Sequence, residues 1–264
     1  MTNRVSVIIP TFNRALFLPQ AIDSVIAQTV GDLEIIIVDD ASTDDTAAVV
    51  ARHARDHRIH YLRNERNMGI ARTRNRGIGA CSAPFIAFLD SDDVWIDRDK
   101  LARQLDAIER TPGCVLIGTD ASVIDRSGRV TGAIRNLARD RSIRATMFIK
   151  NQFVMSSVLI RRSALDEVGL FDEDFPPVMI DYELWLRVAR LHRVANLRQR
   201  MTGYRVHGGN ISRNSHRSTL DGLRIVHSQY GNDFPLAWIL HLRMWRERIA
   251  LARGADTSVA RRVL

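Results

Sequence analysis

An α/β protein built on a mainly parallel sheet flanked by helices is the fold class this sequence predicts, and three observations carry the prediction. Over roughly residues 1–112, short apolar runs alternate with stretches whose apolar residues fall at helical spacing, the pattern of right-handed strand–helix–strand crossovers. Three of those runs end abruptly in polar clusters: Thr11-Phe12-Asn13, Asp39-Asp40 and Asp90-Ser91-Asp92-Asp93. The 264 residues are 45% hydrophobic and 26% charged, which is enough apolar material for a full core without staples.

Val5-Ser6-Val7-Ile8-Ile9-Pro10 is an apolar run stopped by proline and reads as a buried strand. A helical stripe follows at Leu18, Ile22, Val25 and Ile26. Leu33 to Val38 is a second buried strand. Ser42-Thr43-Asp44-Asp45 then supplies an N-cap and first-turn acids for a helix reaching about Asp56. Ile59 to Leu62 is a third strand. Asn67-Met68-Gly69 breaks the chain before a helix from Ile70 to about Ala80, and Phe85 to Leu89 is a fourth strand running into the acidic cluster.

The second half is less regular. Val115 to Ile124 reads as a strand and Asp125-Arg126-Ser127-Gly128 as a turn, while residues 129–150 are basic and poorly periodic, a loop with some helix. Val154 to Ile160 is a strand, Ser163 caps a short helix ending at Gly169, and Ile180 to Leu191 carries a helical stripe at Leu184, Leu186, Val188 and Leu191. No repeat or linker divides residues 1–215, which read as one domain followed by a helical extension over 216–264. On a helix spanning Phe234–Ala252, Trp238, Leu242 and Trp245 share a face, with Ile239 beside them and Arg243, Arg246 and Arg248 flanking it. That face packs on the preceding domain, pairs with a second subunit in a homodimer, or lies on an anionic membrane surface.

Two distant cysteines, Cys81 and Cys114, suit buried positions in a reducing compartment. No apolar run is long enough to cross a bilayer, and no basic n-region or cleavage pattern accompanies Val5, so a cytoplasmic protein is expected, with peripheral contact at the inner face of the membrane as its one membrane option. The net charge of +8 invites a nucleic-acid partner, but 36 of the 38 basic side chains are arginine and aromatics make up only 6%. Without a basic stripe interleaved with aromatics, no nucleic acid is expected.

In parallel α/β sheets, ligands bind outside the carboxyl ends of the strands. Three polar clusters on one such edge mark a candidate site. A turn after Leu89 brings Asp90, Asp92 or both to a hard divalent cation, which prefers oxygen ligands and bridges carboxylates to phosphates.

The residues carrying this pattern resemble family 2 glycosyltransferases. The resemblance rests on Val5 to Arg14, on Gln28-Thr29, on Ile37 to Thr46, on Asn67 to Gly77, on Phe88 to Asp93, and on Asp181 to Leu186 followed by Tyr204-Arg205-Val206-His207. These motifs, in the family's order, span about residues 4–213. The family implies a GT-A fold, a nucleoside-diphosphate sugar donor (UDP-linked in the first instance), a divalent cation, Mn²⁺ or Mg²⁺, and inversion at the anomeric carbon. It divides the domain into a nucleotide-sugar half over 1–112 and an acceptor half over 113–215. The acceptor is a carbohydrate, a lipid-linked glycan or a small molecule.

Carried over residue by residue, Pro10, Thr11 and Phe12 border the nucleobase. Asp40 receives the base or ribose with Asp39 beside it, or else these acids cap the Ser42–Asp45 turn. Arg74 stands on the diphosphate or pairs with Asp40 or Asp90. Asp90 and Ser91 belong to the donor site and Asp92 is the direct metal ligand, while Asp93 is free to cap the next helix. His207 completes the metal shell. Asp181 is the catalytic base, held ionised by its helix N-terminus. Ile180 departs from the family's usual Glu at that position, which puts an acceptor-binding or pKa-tuning group in doubt. Glu183 lies two residues on, about 200° around a helix, so both carboxylates cannot reach one hydroxyl. A sugar nucleotidyltransferase is the competing enzyme, but it wants a Gly-rich loop where this chain has Pro-Thr-Phe-Asn-Arg.

Overall fold

The computed structural model describes residues 3–148, 150–208, 216–231 and 233–234, together with residues 245, 246 and 249. Its first half runs β1 (Val5–Thr11), α1 (Leu18–Ile26), β2 (Leu33–Asp39), α2 (Thr46–Arg52), β3 (Ile59–Arg63), α3 (Ile70–Ala80), β4 (Phe85–Phe88), β5 (Val94–Trp95) and α4 (Lys100–Arg110). The second half runs β6 (Cys114–Ile124), β7 (Val130–Ile134), α5 (Asp140–Thr146), a short 3₁₀ turn at Met155–Ser157, β8 (Leu159–Arg161), α6 (Arg162–Val168), α7 (Ile180–Leu191), β9 (Arg193–Arg205) and α8 (His216–Tyr230). Among the described residues the strands form one sheet in the order β3-β2-β1-β4-β8-β6-β9-β5, with β7 added beside β6. The fold is the α/β class that the alternation predicts.

Strand periodicity sorts the core into two layers. In β1, Val5, Val7 and Ile9 face α1, α2 and α4, whereas Ile8 faces α3 with α7 and α8 beyond it. Both faces of β1 and β2 are therefore covered, as their continuous apolar runs require. Pro10 is tolerated in a central strand because it lies past the end of the β4 ladder, which closes at Ile8 and Phe88. The helix α8 belongs to the same packing: Leu223, Val226 and Tyr230 join the core layer of α7, and Phe234 stacks on Phe148 with ring centroids 5.3 Å apart.

The structure corrects several boundaries. The Ser42–Asp45 segment does lead into α2, but that helix stops at Arg52, and its start is tied by Asp44, which accepts from the Thr46 amide and hydroxyl. The strand expected over Val154–Ile160 is cut to Leu159–Arg161 by the 3₁₀ turn that precedes it. Ser163 is no cap, since α6 begins at Arg162 and its capping position, Arg161, makes no side-chain bond to the helix's first amides. The basic stretch 129–150 contains an added strand, β7, before its helix α5. Strand β9 escapes a periodicity reading because Arg198 and Gln199 bulge out where the β6 register shifts between Thr119 and Asp120. The apolar face read at Trp238, Ile239 and Leu242, with Arg243 and Arg248, lies outside the described residues. No described helix is long and apolar enough to cross a membrane.

Helix α3 approaches the sheet through Gly77. A Cβ there would stand 2.7 Å from Ile8 Cγ2 and 3.3 Å from Val38 Cγ2, too close without displacing a buried strand. Gly77→Ala should therefore lower stability by about 1–3 kcal/mol. A melting curve checks this, and an unchanged midpoint would show that the α3–β1 contact is slack.

Candidate active site

Strand directions decide where the polar clusters meet. β1, β2 and β4 run parallel; β8 is antiparallel to both β4 and β6, and β9 is parallel to β6. The carboxyl ends of β1, β2, β4, β6 and β9 thus share one edge. Thr11, Asp39-Asp40, the acidic turn after β4 and His207 beyond β9 all sit there. His207 Nε2 lies 2.9 Å from Asp92 Oδ2, with the two side chains only 8% and 15% exposed, and the imidazole stacks on Phe17 at 4.8 Å between centroids. Arg14 Nε approaches the same Asp92 oxygen at 3.6 Å. Ser91 is buried within the turn.

The acidic turn is held from below. The Asp90 amide donates to Ser156 Oγ (3.0 Å), and the Ser156 hydroxyl donates to Asp93 Oδ2 (2.6 Å). The Arg205 amide donates to Asp93 Oδ1 (2.7 Å), and Arg205 Nε donates to the Asp92 carbonyl (2.7 Å). Asp93 is thus a buried pin; the cap of α4 falls at Asp99 instead. Burial, then the neighbouring Asp92 and Asp90 charges, push the Asp93 carboxyl well above the usual carboxylate range. Arg74 pairs with Asp90, Nη2 to Oδ1 at 2.6 Å, and its guanidinium lies 5.4 Å over Phe171. Its Nε is buried with no hydrogen-bond partner, as is Thr11 Oγ1 on the adjacent strand end.

Asp39 and Asp40 are both buried and both hold loops. Asp39 accepts from the Ser42 amide (2.8 Å) and from the Tyr61 hydroxyl (2.5 Å); burial together with that bond raises the Tyr61 pKa. Asp40 accepts from Asn64 Nδ2 (2.7 Å) and from the Met68 and Gly69 amides (2.7 and 2.9 Å), fixing the turn that starts α3. Ala41, between Asp40 and Ser42, has φ +63°, a left-handed conformation that a residue with a Cβ adopts only under constraint. Phe12 follows β1 with its ring 42% exposed over this edge, while Pro10 stays within the buried strand.

Asp181 opens α7 and accepts from Asn151 Nδ2 at 3.2 Å. Although ninety residues separate it from the acidic turn, it feels the charges of both Arg74 and Asp90. Burial outweighs the helix terminus and raises the Asp181 pKa from its ordinary value, the reverse of what the helix dipole alone predicts. Glu183 faces away. It pairs with Arg187 at 2.7 Å and accepts from the Tyr230 hydroxyl of α8 at 2.6 Å. Among the described residues no group of three His, Cys, Asp or Glu side chains gathers in a metal-holding cluster. Sequence reasoning missed Ser156, Asn151 and Arg205 as partners of the acids. Arg205 stood inside a quoted motif, but nothing in the sequence marks Ser156.

The sequence model described as Glycosyl transferase family 2 matches residues 6–169. An uncharacterised glycosyltransferase of Rickettsia felis is 31% identical over 213 residues, 78% of this chain, yet the chain spans only 33% of that relative. A glucosyltransferase of Escherichia coli, WfaP, named for moving glucose from UDP-Glc to GlcNAc-diphosphoundecaprenol, is 30% identical over 226 residues, covering 85% of this chain and 86% of its own. Among solved structures, S. aureus TarS with UDP-GlcNAc superposes with a TM-score of 0.72 at 17% identity, over 97% of this chain and 75% of TarS. The mannosyltransferase PcManGT of Pyrobaculum calidifontis, with GDP-Man and Mn²⁺, gives 0.70 at 20% identity, over 98% of this chain and 76% of its own. These likenesses support the GT-A form of the α/β fold.

The Glu183 geometry makes a prediction separate from catalysis. Glu183→Gln leaves the largely buried Arg187 without its carboxylate and should lower stability by about 3 kcal/mol. Specific activity of the folded fraction should stay close to wild type. Loss of turnover in a protein that melts normally would return Glu183 to the list of catalytic candidates.

Proposed function

Because this chain belongs to glycosyl transferase family 2, we propose that the glycosyltransferase it forms is an inverting enzyme that takes a sugar from a nucleoside-diphosphate donor, UDP-linked, to a hydroxyl of a cell-envelope acceptor. The observation that carries this reading is the meeting of Asp92 and His207 at 2.9 Å on the edge where Asp181 senses Arg74 and Asp90. The E. coli relative's lipid-linked acceptor and the teichuronic-acid assignment of a Bacillus subtilis relative support the envelope acceptor. Such an acceptor would bring the protein to the inner face of the membrane.

A carboxylate oxygen and an imidazole nitrogen in contact suit a divalent cation that accepts mixed ligands, Mn²⁺ more than Mg²⁺. Asp92 and His207 would hold it, and it would supply positive charge to the departing diphosphate. The rest follows from the chain's own residues. Thr11 and Phe12 border the base, and the loops fixed by Asp39 and Asp40 shape the pocket around it. Arg74, with an unused Nε, has a donor left for a phosphate or sugar oxygen while Nη2 keeps Asp90 in place. Asp181 takes the proton of the acceptor hydroxyl as that oxygen bonds to the anomeric carbon and the bond to diphosphate breaks on the opposite face. Its raised pKa makes its carboxylate a stronger base than an ordinary aspartate.

Asp181→Asn should retain donor affinity and lose transfer by at least ~10²-fold. Equal loss of UDP affinity, measured by calorimetry, would make Asp181 a binding residue. Because ionised Asp181 is the active form and its pKa is raised, turnover should fall as pH drops through a value above the ordinary carboxylate figure of about 4. An acid limb at or below that figure in a kcat–pH profile would contradict the assignment. Asp92→Ala should abolish Mn²⁺-dependent UDP binding while the protein melts normally. Undiminished binding would remove Asp92 from the metal site.

A further inference from the structure

Resting on that donor site, we infer that Arg205 is its positioning residue, setting the relation of Asp92 to His207 through the backbone. Arg205 is only 1% exposed. Its guanidinium donates to the carbonyls of Asp92 (2.7 Å), Asp125 (3.1 Å) and Arg126 (3.2 Å), and to Gln20 Oε1 (2.7 Å). It also lies 5.1 Å over the ring of Phe17, the residue on which His207 stacks. One side chain thereby ties together the acidic turn, the β6–β7 turn and α1.

Two features make this a positioning device. Three of the guanidinium bonds go to backbone carbonyls, so the fork reads main-chain position rather than only answering a charge. Arg205 also stands two residues before His207, and its own amide is pinned by Asp93 (2.7 Å). Asp92 is thus fixed through its carbonyl, and His207 through its covalent tether and its stacking partner. A buried charge contributes little net stability on its own, so apolar packing would serve a purely structural end at least as well. Lysine cannot replace the arrangement, because a single ammonium lacks the planar fork needed to reach carbonyls in three directions.

Calorimetric titration of UDP with Mn²⁺ into the full chain tests the inference on wild type, Arg205→Lys and Gln20→Leu. Arg205→Lys should raise the UDP Kd at least about tenfold at unchanged stoichiometry, with acceptor KM unaltered. Gln20→Leu removes one anchor and leaves the charge buried, so it should raise Kd about threefold, a graded version of the same effect. A merely structural role would instead lower the binding stoichiometry while the folded fraction kept the wild-type Kd; that result overturns the inference. Should Arg205→Lys fail to fold, a wild-type Kd for Gln20→Leu overturns it equally. Absence of UDP binding by the wild type would overturn the donor-site reading, and the inference with it.

Discussion

Three carboxylates lie within the four residues Asp90-Ser91-Asp92-Asp93, and the site depends on how their mutual repulsion is answered. Each acid is answered differently. Asp90 has the guanidinium of Arg74, Asp92 has His207 and the more distant Arg14, and Asp93 is buried against a hydroxyl and an amide. Burial and the neighbouring Asp92 and Asp90 charges push the Asp93 carboxyl well above the usual carboxylate range, so a third negative charge in the turn is disfavoured. The Ser156 hydroxyl and the Arg205 amide hold this third acid beneath the turn, while Asp90 and Asp92 stand nearer its open side.

That arrangement recruits parts of the chain far from the turn. Ser156 stands just before β8, Arg205 closes β9, and Arg74 comes from α3. The strand order places β8, β6 and β9 successively beside β4, so the irregular second half of the molecule is the scaffold of the first half's acidic turn. The same division of labour holds at β2, where Asp39 and Asp40 use their oxygens to fix loops whose surfaces border the ligand edge.

The first half was legible in the sequence because its strands are buried on both faces and its helices carry regular stripes. Val5 to Pro10 and Leu33 to Val38 fell within a residue or so of β1 and β2. The second half was not, because β9 bulges at Arg198 and Gln199 and β7 is a largely exposed ribbon, so neither shows the period that pattern reading needs. In the candidate site, ordered motifs marked the acids and His207 but not what supports them. Hydrogen bonds from Ser156 and Asn151 depend on loops brought together by the tertiary fold, and polar residues in loops carry no periodic mark. The electrostatics of Asp181 misled for a related reason: a helix terminus is visible in sequence, whereas the burial that overrides it is not.

Strand β9, set between β6 and β5, brings the acidic turn its partners from farthest along the chain. Asp92 and His207 are 115 positions apart, and Arg205 bonds Gln20 across 185. Contacts of such separation are costly to close early, since the loop entropy precedes the reward. A chain emerging from synthesis N-terminus first therefore carries its acidic turn, with Arg14 and Arg74 already made, long before Ser156, Arg205 and His207 exist. The Asp92–His207 contact therefore waits on β9, the strand that delivers His207 to the shared edge.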